Sequence, residues 1–305
     1  AALIANADAA MYAAKTEERN AFRFYTPMMH ADNRRRLQMA TELRQALTRG
    51  EFHLVFQPSI ELRTGRIVAV EALIRWQHPE RGEVMPAEFI PVAEGLGLIR
   101  RIDEWVLQAT CAQIQAWDLA GVPPIRVAVN ISARWFGHPS FVDGVSRTLQ
   151  SRHIPAHRLL LEITESAMLR LGDDTQRTMQ TLDLLDIDVA IDDFGTGYSS
   201  MAYLKLPAVT YLKIDRSFVT GLPGDANDAA ITEAMLAMSR SLGLITIAEG
   251  IETEAQHDFL LRAGCAEGQG YLYSYPLPAG EIQALLIPNQ PGATTKLRLV
   301  PPRRG

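Results

Sequence analysis

Short apolar runs that each end on a polar residue recur along the chain, and they constrain its fold more than any other feature. The runs IVAVE (in IVAVEAL), VAVN and LLLE are three of them, and stretches with helical spacing lie between the runs. Such runs are typical of buried parallel strands. Because parallel strands end at one rim, the terminal polar side chains should meet there. These side chains belong to Glu71, Asn130, Glu162, Asp192, Asp193, Lys213 and Glu249.

Eight candidate strands alternate with helices over ~230 residues, which predicts an α/β fold of the eight-stranded (β/α) barrel type, TIM-like. The strands are expected at 52–58, 67–75, 125–131, 158–164, 187–193, 210–215, 244–249 and 269–273. Helices are expected near 32–49, 86–96, 101–119, 140–151, 174–185, 228–242 and 253–263. Only about ten residues join the first two strands, too few for a parallel crossover, so we expect a hairpin and an antiparallel first strand.

Composition limits the setting and the partners of the chain. The 305 residues are 47% hydrophobic and 21% charged, as in a globular protein with a sizeable core. The net charge of -5 gives no reason to expect duplex nucleic acid or an anionic membrane as a partner. Two cysteines, Cys111 and Cys265, are too few for a disulfide framework or a thiolate metal site. We expect a cytoplasmic setting with no membrane contact by this segment, although upstream segments could anchor a longer protein.

The polar residues at the strand ends predict a metal site of a particular kind. Carboxylates and one amide are hard oxygen ligands, and no histidine or cysteine accompanies them, which favours Mg²⁺ or Mn²⁺. So many carboxylates would repel one another without cations, and two ions bridged by a residue such as Asp192 would neutralise them. Paired ions ~3.5–4 Å apart suit phosphoester hydrolysis. Lys213 would supply a positive charge or, if its pKa were lowered beside the metals, a proton acceptor. Taken singly, each residue also has a purely structural explanation at a strand end or turn.

Seven ordered motifs resemble those of the EAL-domain cyclic di-GMP phosphodiesterases. They are EALIRW at 71–76, NIS at 130–132, EITES at 162–166, DDFGTGYSS at 192–200, LKIDRSF at 212–218, AEGIET at 248–253 and QGY at 269–271. The resemblance covers residues 35–287. It implies a barrel with an antiparallel first strand and, in bacterial signalling, hydrolysis of cyclic di-GMP to linear pGpG with Mg²⁺ or Mn²⁺.

The resemblance also implies a role for each motif residue. The metal ligands would be Glu71, Asn130, Glu162, Asp192 and Asp193. Lys213 would position and deprotonate the attacking water, Glu249 would lie beside that water, and Glu252 would assist at the rim. The substrate contacts would be Gln57, Arg75 and Gln269. A guanidinium group suits phosphate, and glutamine amides suit guanine edges or phosphate, but a structural hydrogen bond explains the two glutamines equally well.

The loop that follows the strand predicted at 187–193 carries two further implications of the resemblance. Glu165 would hold this loop, DFGTGYSS, in the shape that keeps Asp192 and Asp193 aligned. The same loop is the usual dimer contact of the family, so a homodimer formed through it is expected.

The first 25 residues indicate a longer parent protein. Residues 6–25, NADAAMYAAKTEERNAFRFY, resemble the final helix and strand of a GGDEF domain. We therefore expect residues 1–25 to be the C-terminal remnant of a GGDEF domain in a GGDEF–EAL protein. Residues 26–50 would form a linker and the first helix, residues 51–287 the EAL barrel domain, and the proline-containing residues 288–305 a disordered tail.

Four residues depart from the family pattern: Trp135, Thr210, Ala266 and Tyr275. None stands at a metal-ligand position, although Thr210 and Ala266 could lower the rate through groups that orient the ligands. Tyr275 could stack on a guanine base. The alternative to an enzyme is a catalytically weak or silent EAL domain that acts as a cyclic di-GMP receptor. The intact set of ligand residues favours the enzyme, and the motif order disfavours an unrelated metal-carboxylate barrel enzyme.

Overall fold

A computed structural model describes residues 27–170, 174–197 and 201–287. The predicted GGDEF remnant at 1–25 and the predicted disordered tail at 288–305 lie outside the described residues, so both stay predictions. The chain separates into two compact units. Of the described residues, the larger unit contains 54–74 and those from 100 to 287, and the smaller contains 27–53 and 75–99.

The larger unit is built around a closed barrel of eight strands, in the order β1-β9-β8-β7-β6-β5-β4-β2, with β1 also pairing with β2. These strands are β1 (Phe52–Glu61), β2 (Ile67–His78), β4 (Arg126–Asn130), β5 (Leu159–Thr164), β6 (Asp188–Phe194), β7 (Val209–Ile214), β8 (Ile245–Ala248) and β9 (Glu267–Gln269). Strand β1 pairs antiparallel with β9. The pairs β2–β4, β4–β5, β5–β6, β6–β7, β7–β8 and β8–β9 are all parallel. The predicted (β/α) barrel with an antiparallel first strand is confirmed.

Helices connect the parallel strands, as the alternation in the sequence predicts. They are α3 (Ile99–Leu119), α4 (Ala133–Phe136), α5 (Phe141–Ser151), α6 (Glu165–Arg170), α7 (Asp174–Leu184), α8 (Arg216–Val219), α9 (Ala226–Leu242), α10 (Glu254–Ala263) and α11 (Ala279–Leu286). Short 3₁₀ helices cover Ala156–Arg158 and Met201–Lys205. Helix α10 begins with a capping box between Thr253 and Gln256. No helix within the described ranges has the length and apolar character that a membrane span requires.

The smaller unit contains helix α1 (Pro27–Arg49), strand β3 (Gly82–Val84) and helix α2 (Pro86–Leu96). The last residues of β2 pair antiparallel with β3, Trp76 opposite Val84. The buried Trp76 ring packs against Phe52 and Phe89, and its Nε1 donates a hydrogen bond to Glu51. This aromatic cluster gives the unit a core of its own.

The structure differs from the predicted elements mainly at the last strand. We predicted a strand at 269–273, whereas β9 ends at Gln269 and a turn follows, closed by the bond from Tyr273 N to Gly270 O. Strand β3 and helices α4, α6, α8 and α11 were not predicted, because eight residues or fewer give little periodic signal.

The interior of the barrel contains a ring of buried side chains at equivalent positions of five strands: Ala128, Leu160, Ala190, Tyr211 and Ile247. Side chains two residues apart on a strand point to the same side. Two residues beyond these five positions are Asn130, Glu162, Asp192, Lys213 and Glu249. The buried ring is therefore the floor on which the predicted polar residues are placed.

Candidate active site

The register of the parallel strands brings the predicted polar residues to one rim. Asn130 pairs with Glu162, and Thr164 pairs with Asp192. Glu249 directly follows β8, and its backbone N–H donates to Ile214 O at the end of β7. Asn130, Glu162, Asp192, Lys213 and Glu249 therefore lie at or near the C-terminal ends of successive strands, where barrel enzymes carry their active sites. Glu71, expected at a strand end, instead lies within β2.

Lys213 lies at the centre of this rim and is 1% exposed. Its Nζ is 2.6 Å from Glu249 Oε1 and 2.8 Å from Glu162 Oε2. The same atom is 3.3 Å from Asp192 Oδ2 and 3.9 Å from Glu71 Oε2. One ammonium group is thus shared by four carboxylates, which leaves three negative charges without a cation when all four are ionised.

Glu71 is held by two amide side chains. Asn130 Nδ2 donates to Glu71 Oε1 over 2.7 Å, and Gln269 Nε2 donates to Glu71 Oε2 over 2.7 Å. Gln269 Nε2 also donates to Gln57 Oε1, and Gln269 Oε1 accepts from Ser59. Gln57 and Gln269, predicted as substrate contacts, therefore make a structural hydrogen bond to each other, and Gln269 makes a second one to Glu71.

Asp192, Asp193 and Glu249 place carboxylate oxygens within 4.8 Å of one another. Asp193 adopts a left-handed backbone with φ 53°, and its N–H donates to Asp192 Oδ1. Thr196 Oγ1 donates to the carbonyl oxygen of Asp193. The close oxygens form a donor set of the hard type that Mg²⁺ and Mn²⁺ prefer, so the residues present fit such an ion.

Burial and mutual repulsion raise the pKa of several of these carboxyl groups. Burial raises the pKa of Glu162 well above its usual value, despite the opposing effect of Lys213. Burial, again opposed by Lys213, raises the pKa of Glu249 to about 8. Burial and the charge of Asp192 raise the pKa of Asp193 to about 6. Without a divalent cation the rim would retain protons, and binding of a cation would release them.

For Lys213, the neighbouring charges affect the pKa more than burial does. Burial alone would lower the pKa of Lys213, but the charges of Asp192, Glu162, Glu249 and Glu71 raise it well above its usual value. The lysine is therefore an ammonium ion in this arrangement. This supports the predicted positive charge rather than the predicted proton acceptor, for which the pKa would have to fall.

Glu165, predicted to stabilise the loop after β6, is fully buried at the start of α6. Its Oε2 accepts a hydrogen bond from Gly195 N, and its Oε1 accepts one from the Tyr203 hydroxyl. Both bonds go to residues of the chain that follows β6. Residues 198–200 of the predicted loop lie outside the described residues.

A cavity of about 230 Å³ opens at this rim. It is lined by Glu71, Asp192, Lys213, Glu249, Gln57 and Gln269, and also by Glu252, which is exposed at the edge. Arg75, the third predicted substrate contact, is buried on β2 and belongs to the smaller unit, so its contact with a substrate stays a prediction.

Two residues of the cavity wall were missed by the sequence reasoning, Arg216 and Tyr271. Arg216 is exposed, and within the described part of the chain its guanidinium group makes no ion pair or hydrogen bond. Gly250 lies so close that a methyl group on it would be 2.6 Å from Arg216 Cβ. Arg216 is in the LKIDRSF motif, three residues after Lys213, and this spacing was the available signal. The ring of Tyr271 lies 4.4 Å from that of Tyr275.

The other departures from the family pattern lie away from the carboxylates. Thr210 precedes the floor residue Tyr211, and its hydroxyl donates to Asp188 at the start of β6. Ala266 precedes β9, and its N–H donates to Thr246 Oγ1. Neither residue contacts a predicted metal ligand, so the suggestion that they orient the ligands finds no support in these contacts. Trp135 is buried in α4.

Comparison with known proteins identifies relatives over most of the chain. The sequence profile of the EAL domain family matches residues 40–276. The bifunctional diguanylate cyclase/cyclic di-GMP phosphodiesterase MucR of Pseudomonas aeruginosa is 44% identical over 282 residues, which are 92% of this chain and 41% of MucR. The cyclic di-GMP phosphodiesterase NbdA of the same organism is 40% identical over 93% of this chain and 36% of its own length. The chain thus spans less than half of these relatives.

Solved structures give the same result. The PaMucR phosphodiesterase in complex with c-di-GMP superposes with a TM-score of 0.77 at 43% identity, covering 80% of this chain and 99% of that chain. The FimX EAL domain of Pseudomonas aeruginosa bound to c-di-GMP gives a TM-score of 0.72 at 27% identity, covering 78% and 96%.

Proposed function

The chain belongs to the EAL domain family, and on that premise we propose that it hydrolyses cyclic di-GMP to linear pGpG with Mg²⁺ or Mn²⁺. One observation carries the proposal: four carboxylates surround the Lys213 ammonium group, and three of them lie at the carboxyl ends of barrel strands. Relatives named as cyclic di-GMP phosphodiesterases support the choice of substrate.

The metal-holding residues in this proposal are Glu71, Asn130, Glu162, Asp192 and Asp193. When bound, two divalent ions would stabilise the charge that develops on the phosphodiester and would lower the pKa of a water molecule. The number of carboxylates around Lys213 supports two ions rather than one: once cation binding has released the retained protons, the single ammonium group balances only one of four negative charges.

Lys213 and Glu249 would orient the attacking water. Their side chains are in contact, 2.6 Å from Nζ to Oε1, so a water between them and the substrate could meet a hydrogen-bond donor and an acceptor. Attack at phosphorus would form the new P–O bond and break the P–O3′ bond, which yields pGpG with a 5′-phosphate. The proton of the water would pass to the Glu249 carboxylate, because Lys213 is already an ammonium ion, and the leaving 3′-oxygen would take up a proton from solvent, with Glu252 assisting at the rim.

A cyclic dinucleotide has a second phosphate, which needs a cation on another part of the cavity wall. The exposed Arg216 is suited to this contact because a guanidinium group binds phosphate through two parallel hydrogen bonds. The neighbouring rings of Tyr271 and Tyr275, inclined at 31° to each other, would offer an apolar surface to a guanine base. Three further predictions from the sequence are also part of the proposal. The chain would form a homodimer through the loop after β6, and it would be located in the cytoplasm. Arg75 would contact the substrate.

The test is turnover of cyclic di-GMP by this chain with Mg²⁺, Mn²⁺ or EDTA, following pGpG. Metal-dependent pGpG is expected, and Glu71→Ala should abolish it with an unchanged far-UV circular dichroism spectrum. Glu233→Ala, which removes an exposed carboxylate on α9, is the matched control and should leave the rate unchanged. An unchanged rate in Glu71→Ala would overturn the metal assignment. Tight binding of cyclic di-GMP without product, with metals supplied, would favour the receptor.

A further inference from the structure

Glu165 is a buried carboxylate whose described partners are two uncharged donors. Its Oε1 accepts from the Tyr203 hydroxyl at 2.7 Å, and its Oε2 accepts from Gly195 N at 2.9 Å. Within residues 27–170, 174–197 and 201–287, no lysine, arginine or histidine forms an ion pair with it. A buried carboxylate depends on such hydrogen bonds, since losing a donor leaves part of its charge without compensation.

The two donors lie on either side of the chain that leaves β6. Gly195 is the first residue after β6, which ends at Phe194. Tyr203 lies in the 3₁₀ helix Met201–Lys205, which precedes β7. The Glu165 carboxylate therefore links the residue that directly follows β6 to the 3₁₀ helix that precedes β7. We call Gly195, Glu165 and Tyr203 the Glu165 clamp.

The Gly195 end of the clamp has little freedom to move. Its φ is 95°, and a Cβ placed on it would lie 2.4 Å from Met235 Cε and 2.9 Å from the Phe218 ring. Asp193, two residues earlier, has φ 53° and accepts a hydrogen bond from Thr196 through its carbonyl oxygen. A shift of Gly195 would therefore also move the backbone that sets the directions of the Asp192 and Asp193 carboxylates.

We propose that Tyr203 is a positioning residue for the metal site: its hydroxyl keeps Glu165 directed at Gly195, and this fixes Asp192 and Asp193. The proposal rests on the metal site of the proposed function. It adds a residue that contacts neither metal nor substrate and that acts only through Glu165.

The chemistry of the hydroxyl is consistent with this role. Burial raises the pKa of Tyr203 far above its usual value, and the hydrogen bond to Glu165 raises it further. The hydroxyl therefore keeps its proton and stays a donor throughout the neutral range. Tyr203→Phe removes only this donor and keeps the ring, so packing around the 3₁₀ helix is preserved.

The direct test is Mn²⁺ binding by the purified chain, measured from the loss of the electron paramagnetic resonance signal of free Mn²⁺. Tyr203→Phe should raise the dissociation constant of Mn²⁺ about tenfold, the lower end of the range for residues that orient metal ligands. At saturating Mn²⁺, kcat should change much less, because the ligands and Lys213 are retained. The matched control is Tyr273→Phe, which also removes a buried hydroxyl, one bonded to His257 Nδ1 at 2.9 Å. The control should bind Mn²⁺ like the wild type.

A double-mutant comparison separates positioning from a general loss of stability. Because Tyr203 acts through Glu165, Tyr203→Phe should have no further effect on Mn²⁺ binding in a Glu165→Gln background. Additive effects, or equal Mn²⁺ affinity in Tyr203→Phe and Tyr273→Phe, would overturn the proposal. If Tyr203→Phe does not fold, Glu165→Gln alone decides, and an unchanged dissociation constant in that variant overturns it. A wild-type chain that binds Mn²⁺ but makes no pGpG contradicts the proposed function and leaves the clamp standing.

Discussion

The shared ammonium group of Lys213 makes a strong prediction about stability. Its Nζ lies within 3.3 Å of carboxylate oxygens of Glu249, Glu162 and Asp192. Methionine has a similar length and no charge, so Lys213→Met removes the cation while largely preserving the packed volume. The carboxylates would then share a buried space without any protein cation at its centre.

The size of the effect follows from the burial of the lysine, which is 1% exposed. Removing one partner of a buried ion pair typically costs about 3–5 kcal/mol, because the other charge stays buried without compensation. With a urea m-value of about 2–3 kcal/mol/M, the unfolding midpoint should fall by about 1–2.5 M in EDTA. Saturating Mn²⁺ should recover part of this loss, since a cation that binds only the folded chain stabilises it. Hydrolysis should be lost under both conditions.

The assay is urea unfolding followed by far-UV circular dichroism at neutral pH, in EDTA and in Mn²⁺. Lys205→Met is the matched control, because Lys205 is exposed and forms no ion pair within the described part of the chain. Its midpoint should stay close to that of the wild type. Equal midpoints for Lys213→Met and Lys205→Met in EDTA would refute the reasoning, since the carboxylates could not then depend on a shared buried cation.

Two further predictions concern the cavity wall. Arg216→Ala should raise KM for cyclic di-GMP about tenfold, the loss expected for a charged hydrogen bond, and leave hydrolysis of bis(4-nitrophenyl) phosphate unchanged, because that diester lacks a second phosphate. Arg262→Ala, an exposed control on α10, should leave both substrates unaffected, and an equal loss with both substrates would contradict the assignment. Gly270→Ala should destabilise the fold by about 2–4 kcal/mol in urea unfolding, since its Cβ would lie 2.1 Å from Ile251 O. Gly280→Ala on α11, where a Cβ meets nothing within 4 Å, should instead stabilise by up to about 1 kcal/mol, and equal destabilisation would contradict the steric argument.

The residues at the rim could be predicted from the sequence because the pattern that places them there is local. An apolar strand that ends on a carboxylate needs only a parallel neighbour with the same pattern, and the barrel supplies eight strands in sequence order, with β1 antiparallel. Glu162, Asp192 and Lys213 are far apart in the chain, yet each follows a floor residue at the same distance of two positions. The periodicity of the strands therefore predicted both the fold and the meeting point of these side chains.

Other parts of the site depend on contacts that local patterns do not encode. Arg216 lies in the cavity wall where the loop after β8 passes closely. A Cβ placed on Gly250 of this loop would lie 2.6 Å from Arg216 Cβ. The predicted strand at 269–273 is wrong beyond Gln269 for a similar reason. Ile251 N donates to Gln269 O and Leu272 N donates to Ile251 O, so this loop draws the chain into a turn.

The apolar floor of the barrel also explains why a bound cation would stabilise the carboxylates at the rim. Ala128, Leu160, Ala190 and Ile247 place apolar atoms directly beneath the carboxylates, and burial above such a floor is the largest cause of the raised pKa of Glu162 and Glu249. In a medium of low dielectric constant, repulsion among ionised carboxylates is strong and the attraction of a bound cation is equally strong. The ammonium group of Lys213 balances one of the negative charges within the fold. Two divalent ions would balance the negative charge that remains. In the proposed metal site, the apolar residues two positions before Glu162, Asp192 and Glu249 would therefore strengthen metal binding, although they offer no ligand atom themselves.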